Sequence, residues 1–125
     1  MASARCCRKD NMGYHLDLSM KAMGDVTVLS IAGDITAVTG QSVEKACNSE
    51  KTINSNHILL NFNPDCYFNS GGIAFLIGIT LESKQRGQTV SITGISDHFK
   101  KIFNMVGLTR CAEIYDRVGD VIETV

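Results

Sequence analysis

The chain predicts a single α/β domain, with a mixed, mostly parallel sheet of about five strands and about four helices packed over it. Three observations carry that prediction. Two alternating stretches meet at Gly24-Asp25, which reads as a hairpin turn. After the hairpin, short apolar runs alternate with segments of helical period, in the order β-β-α-β-α-β-α-β-α. Repeated β-α units imply parallel strand pairing, and 125 residues suit one hydrophobic core.

Each element has its own signal. Residues 1–12 are polar and mixed and read as a flexible tail, leaving 13–125 as the domain. Tyr14, Leu16, Leu18 and Met20 alternate onto one face of the first strand. The next strand, VTVLSIAG, is apolar on both faces, which marks it as central. In TGQSVEKACNSEK, Val43, Ala46 and Cys47 fall at helical spacing and Thr39 stands as the N-cap candidate. HILLNF is a continuous apolar run of the kind buried on both faces of a sheet.

The segment SGGIAFLIGITLESKQRG carries Ile73, Leu76, Ile77 and Thr80 at i, i+3, i+4 and i+7. Glu82 and Arg86 make an i,i+4 pair on it, and Gly87 marks its end. QTVSITGI is a strand. In SDHFKKIFNMVGL, Ser96 caps a helix whose stripe is Phe99, Ile102, Phe103 and Val106, and Gly107 closes it. AEIY gives a last short strand and DRVGDVIETV a last, weaker helix.

Composition narrows the function. A net charge of −1 argues against nucleic-acid binding, which concentrates Lys and Arg on one face. No apolar run reaches the ~18–20 residues needed to span a bilayer. The start, MASARCCRKDNMG, is too polar for a secretory signal. Five cysteines without a C-x-x-C pair suggest reduced thiols and a cytoplasmic setting, with Cys47, Cys66 and Cys111 acting as small hydrophobes. His15 and His57 lack metal-ligand spacing, so neither a metal nor another cofactor is expected.

One stretch raises a question of chemistry: LLNFNPDCYFNSGGIAFLIG, residues 59–78. Ser70 sits before Gly71 and Gly72 where a strand turns into a helix, at the carboxyl edge of the sheet where ligands bind. Ser70 could simply cap the helix. A phosphate-cradling loop would need GxxxxGK[ST], which is absent. A nucleophile elbow would need Gly-x-Ser-x-Gly, and Phe68 stands at the first glycine. His98 lies on a helix surface and no acid-base set accompanies the serine, so no enzyme is expected. The remaining reading is a serine that receives a phosphate. The helix after it is apolar nearly all round: either its neighbours bury it, or it leaves an apolar docking patch beside Ser70.

The segment CYFNSGGIAFLIG resembles the (F/Y)-x-D-S-(S/T)-G-(L/I)-x-x-(L/I) motif of the STAS domain, in particular of bacterial anti-sigma factor antagonists. SIAGDIT resembles that family's L-x-G-E/D-L/I-D strand and turn, and GISDHFKKIFNMVGL resembles its x-I-S-P-x-V-K-R-L-F-x-M-x-G-L helix. The three segments follow in the family's order over most of residues 14–118.

The resemblance implies a partner-switching protein. It would bind an anti-sigma factor that is also a serine kinase of the histidine-kinase-like ATPase class, with a serine phosphatase resetting the cycle. By position the phosphoacceptor is Ser70. Gly33, Asp34, Ile35 and Thr36, with Asn69, Gly71, Gly72 and Ile73, would form much of the docking surface. A homodimer is left open. Asn69 replaces the family's usual Asp, and Thr36 stands where a second acid is frequent. These departures sustain an alternative: a STAS scaffold subunit of a signalling assembly or transport complex, without phosphorylation.

Overall fold

In the computed structural model, residues 4–9, 15–49, 52 and 54–116 are described. The strands are β1 (Ala4–Lys9), β2 (His15–Met23), β3 (Val26–Ile35), β4 (His57–Phe62), β5 (Tyr67–Phe68), β6 (Thr89–Thr93) and β7 (Glu113–Tyr115). Three helices are delimited among the described residues: α1 (Gly40–Cys47), α2 (Ser70–Gln85) and α3 (Asp97–Met105), with a 3-10 turn at Leu108–Arg110. The sheet runs β1-β2-β3-β4-β6-β7, and β5 pairs with the end of β3. β1, β2 and β3 are antiparallel neighbours, and all other pairs are parallel.

The mixed sheet and the hairpin at Gly24 (φ 65°) follow the sequence prediction. Ala4–Lys9, which the sequence assigns to the tail, forms an edge strand against β2. Edge pairing needs only backbone hydrogen bonds, so ARCCRK shows no alternation to announce it. The helix expected over DRVGDVIETV falls almost wholly outside the described residues.

Strand alternation divides the core in two. Leu29, Ile31, Ile58, Leu60, Phe62, Val90 and Ile92 face the helices and meet Val43, Leu76, Ile79, Phe99 and Phe103. On the opposite face Val26, Val28 and Leu59 form a smaller cluster with Tyr115. The helix-side core is rich in aromatic edge-to-face contacts, with Phe68 touching Phe62, Phe99 and Phe103 at centroid distances of 5.0, 4.9 and 5.2 Å. Such pairs add about 0.5–1.5 kcal/mol each beyond area burial.

The helix ends obey local chemistry. Ser96 caps α3, its Oγ accepting from Phe99 N at 3.4 Å, and Gly107 closes that helix at φ 84°. Gly87 does the same after α2, where Gln88 N donates to Ser83 O. Val106, predicted in the α3 stripe, is 46% exposed because the helix has ended by Met105. Thr39 does not cap α1, since its backbone is already helical and its hydroxyl is committed elsewhere.

Candidate functional site

Two loops meet beyond the carboxyl end of β3. The first, Thr36–Thr39, leads into α1; the second, a tight turn at Asn69, joins β5 to α2. β5 holds them together: Asp34 lies opposite Tyr67, Ile35 opposite Phe68, and Asn69 N donates to Ile35 O at 3.2 Å. Ser70 is thereby carried next to the first loop.

The first loop is locked by two hydroxyls. Thr36 Oγ1 accepts from Val38 N at 3.1 Å and Thr39 N at 3.2 Å. Thr39 Oγ1 accepts from Thr36 N at 2.8 Å and donates to Asp34 O at 2.5 Å. Thr36 therefore satisfies the orphan N–H groups ahead of α1, a duty that Asp or Asn also performs at helix starts. That makes structural sense of a threonine at the position where the resemblance puts an acid.

The second loop answers the question about the serine. Asn69, extended at φ −94° and ψ 178°, is the N-cap of α2, its Oδ1 accepting from Gly72 N at 2.8 Å. Ser70 is the first helical residue, exposed, and its hydroxyl makes no hydrogen bond among the described residues. The glycines do steric work: a Cβ on Gly72 would lie 2.0 Å from Ile35 O, and one on Gly71 3.0 Å from the Ala37 Cβ. Only glycine at position 72 lets α2 start against β3.

The predicted site residues divide by exposure. Asp34, Asn69 and Ser70 are exposed, and Gly33, Gly71 and Ile73 are half-buried. Ile35 and Thr36 are only 1% and 7% exposed and Gly72 is buried, so these three shape the surface from beneath. Tyr67 and Val38, 58% and 48% exposed, flank the same two loops and were not predicted. Tyr67 leans on Phe99 (centroids 5.9 Å apart), and its place in the strand gave no signal that the ring would face outward. The outer line of α2, Ser70, Ala74, Gly78 and Glu82, is exposed and built of small or polar residues, while Leu76, Thr80 and Ser83 are buried.

Electrostatically the start of α2 is open to an anion. Its first turn holds no acidic residue, and a helix N-terminus carries roughly half a positive charge. Neither described histidine side chain serves Ser70 as a base. His57 starts β4, at the opposite end of the strands, bonded to Ser91 Oγ at 2.7 Å. His98 is exposed and rests on the Phe99 ring. No group of three or more metal-ligating side chains occurs among the described residues, and no helix among them is long and apolar enough to cross a membrane.

A mixed sheet with helices packed over one face, and the segments after β3 and β5 brought together at its carboxyl edge, places the chain among single-domain α/β proteins. Residues 17–121 match the family model of the STAS domain, and the chain belongs to that family. Solved structures share its fold. An anti-sigma factor antagonist from Mycobacterium paratuberculosis superposes with a TM-score of 0.73 at 15% identity, over 88% of this chain and 93% of the other. A putative anti-sigma factor antagonist from Thermotoga maritima gives 0.72 at 17% identity, over 86% and 93%. The Bacillus cell-fate determinant SpoIIAA in its phosphorylated form gives 0.62 at 13%, over 86% and 99%.

Proposed function

We propose that this STAS domain is a bacterial anti-sigma factor antagonist that works by partner switching at Ser70. On this reading it is a binding module and not an enzyme. It binds an anti-sigma factor that is also a serine kinase of the histidine-kinase-like ATPase class, and a serine phosphatase restores the binding form. The observation that carries the reading is the division of labour at the start of α2: Asn69 caps the helix, which leaves the exposed Ser70 hydroxyl uncommitted. The shared fold with anti-sigma factor antagonists, one of them described in a phosphorylated form, supports it. Free thiols at Cys47, Cys66 and Cys111 suit a reducing cytoplasm.

The physics of the switch is local. A phosphate on Ser70 adds about −1.5 to −2 charges at neutral pH. At the N-terminus of α2 that charge is favourable by about 0.3–1 kcal/mol, so the fold survives modification. A partner seated on Tyr67, Val38 and Ser70 would have to desolvate a dianion, and it leaves. No conformational change is required.

The test compares partner binding by the wild type and Ser70→Asp, using the ATPase that co-purifies with the protein from its native cells. At least a tenfold loss is expected; equal binding would sink the proposal. Asn69 favours one second reading, because it caps α2 without the charge found in the family motif. That reading is a STAS scaffold subunit of a signalling assembly or transport complex, and co-purification of a large particle or membrane complex without an ATPase would establish it.

A further inference from the structure

We propose that residues 117–125 fold back over the sheet face opposite the helices and seat an apolar stripe on Val26, Val28 and Leu59. Those three side chains are 2%, 5% and 0% exposed, and Ser91, in register with Leu59, is 0% exposed. A sheet face with nothing packed on it stays open to water. Yet the three helices and the 3-10 turn bury their side chains, Val43, Leu76, Phe99 and Leu108 among them, in the cluster on the other face. Tyr115 reaches the patch from β7, in a row that crosses Thr93, Asn61 and Ser30. From Ser30 back to Val26 along β3 is about 13 Å, too far for one tyrosine ring to cover. Another segment roofs the patch.

The chain leaves β7 at Asp116, whose Oδ1 accepts from Lys100 Nζ at 2.7 Å, and the residues that follow lie outside the described ones. They carry Val118, Val121, Ile122 and Val125 at i, i+3, i+4 and i+7, the spacing of one helix face, with Arg117, Asp120 and Glu123 off it. The length fits too. β7 runs parallel to β6 and delivers the chain at the carboxyl edge, beside the Tyr115 row. A helix over 117–125, rising ~1.5 Å per residue, spans the same 13 Å or so back to Val26.

The other stretches outside the described residues fit less well. Residues 10–14 join Lys9 to His15 at the end of β2 that pairs near Gly33, away from Val26. Residues 50, 51 and 53 flank Thr52, whose Oγ1 meets Met20 Sδ on the helix side of the sheet. Residues 1–3 offer one large apolar side chain, Met1. A second copy could also bring an apolar surface, but a stripe tethered at the edge of the patch competes at an effective concentration in the millimolar range. This closure lies across the sheet from the helices and does not depend on the reading of Ser70.

Methyl-labelled NMR on the full chain tests it. Nuclear Overhauser contacts are expected between the Ile122 methyls and those of Leu59 and Val28. In a mixture of labelled and unlabelled protein these contacts should stay within one chain. Ile122→Ala should raise the unfolding constant by about tenfold or more, as truncation of a buried branched side chain predicts, whereas Glu123→Gln should leave it unchanged. Three results would overturn the closure. They are no such contact in the wild type, contacts only between copies (the patch is then a self-association surface), or equal unfolding constants in the two variants.

Discussion

Gly72 and Ile35 meet backbone to backbone: the Cβ that Gly72 lacks would lie 2.0 Å from the Ile35 carbonyl oxygen. That approach seats the first turn of α2 against the end of β3 and fixes Ser70 beside the Thr36–Thr39 loop. Gly72→Ala should destabilise the domain by about 1–3 kcal/mol, the usual cost of overpacking. Denaturant unfolding measures it, and a change below about 0.5 kcal/mol would mean that the helix can shift freely.

Asn69 is a cap, and its loss has a known scale. Asn69→Ala should cost about 0.5–2 kcal/mol. Asn69→Asp should keep the bond to Gly72 N and add a charge that the helix dipole favours, leaving stability equal or slightly higher. If both substitutions proved equally harmful in thermal unfolding, the capping role would be wrong.

Thr36 is buried with its hydroxyl accepting two N–H groups. Thr36→Val strands both donors and should cost about 1–3 kcal/mol, whereas Thr36→Ser should be nearly neutral. Equal loss in the two variants would point to the methyl group instead of the hydroxyl.

Tyr67 separates binding from stability. Its ring is largely exposed, so Tyr67→Ala should change the unfolding free energy by less than about 1 kcal/mol. As a flanking aromatic it should nevertheless cost the partner interaction about 2 kcal/mol or more. Titration calorimetry with the purified ATPase would show whether the partner ignores it.

His57 sets a pH dependence. Burial lowers its pKa below the ordinary value of about 6.5, against a smaller opposing pull from Glu113. The fold favours the neutral ring, so the contribution of His57 is full above about pH 6.5 and is lost as pH falls toward the lower folded value. Stability should therefore drop on acidification by at most about 1.4 kcal/mol per pH unit from this group, and His57→Gln should flatten that part of the curve. An unchanged slope in the variant would remove His57 from the account.

Strand and helix order were legible because each element carries its own pattern, a continuous apolar run in HILLNF and a helical stripe through Phe99 and Phe103. The Gly87 and Gly107 closures were legible for the same local reason. β1 was not, since an edge strand pairs through backbone groups and ARCCRK carries no face pattern. The site was legible as a place, through Ser70 and its glycines, but not as a division of labour. The sequence pattern offered Ser70 as the cap, and the extended backbone at Asn69 moves that role one residue back. Exposure around the serine was hidden too. Ile35 and Tyr67 sit on adjoining strands, yet tertiary packing buries the first and exposes the second.

The central claim is that Ser70 is a phosphoacceptor. Intact-mass spectrometry with peptide mapping across residues 57–86, on protein purified from its native cells during growth and under stress, tests it most directly. The account predicts a phosphate on Ser70 whose occupancy differs between the two conditions. An unmodified Ser70 in both would contradict it and leave the domain as a constitutive scaffold.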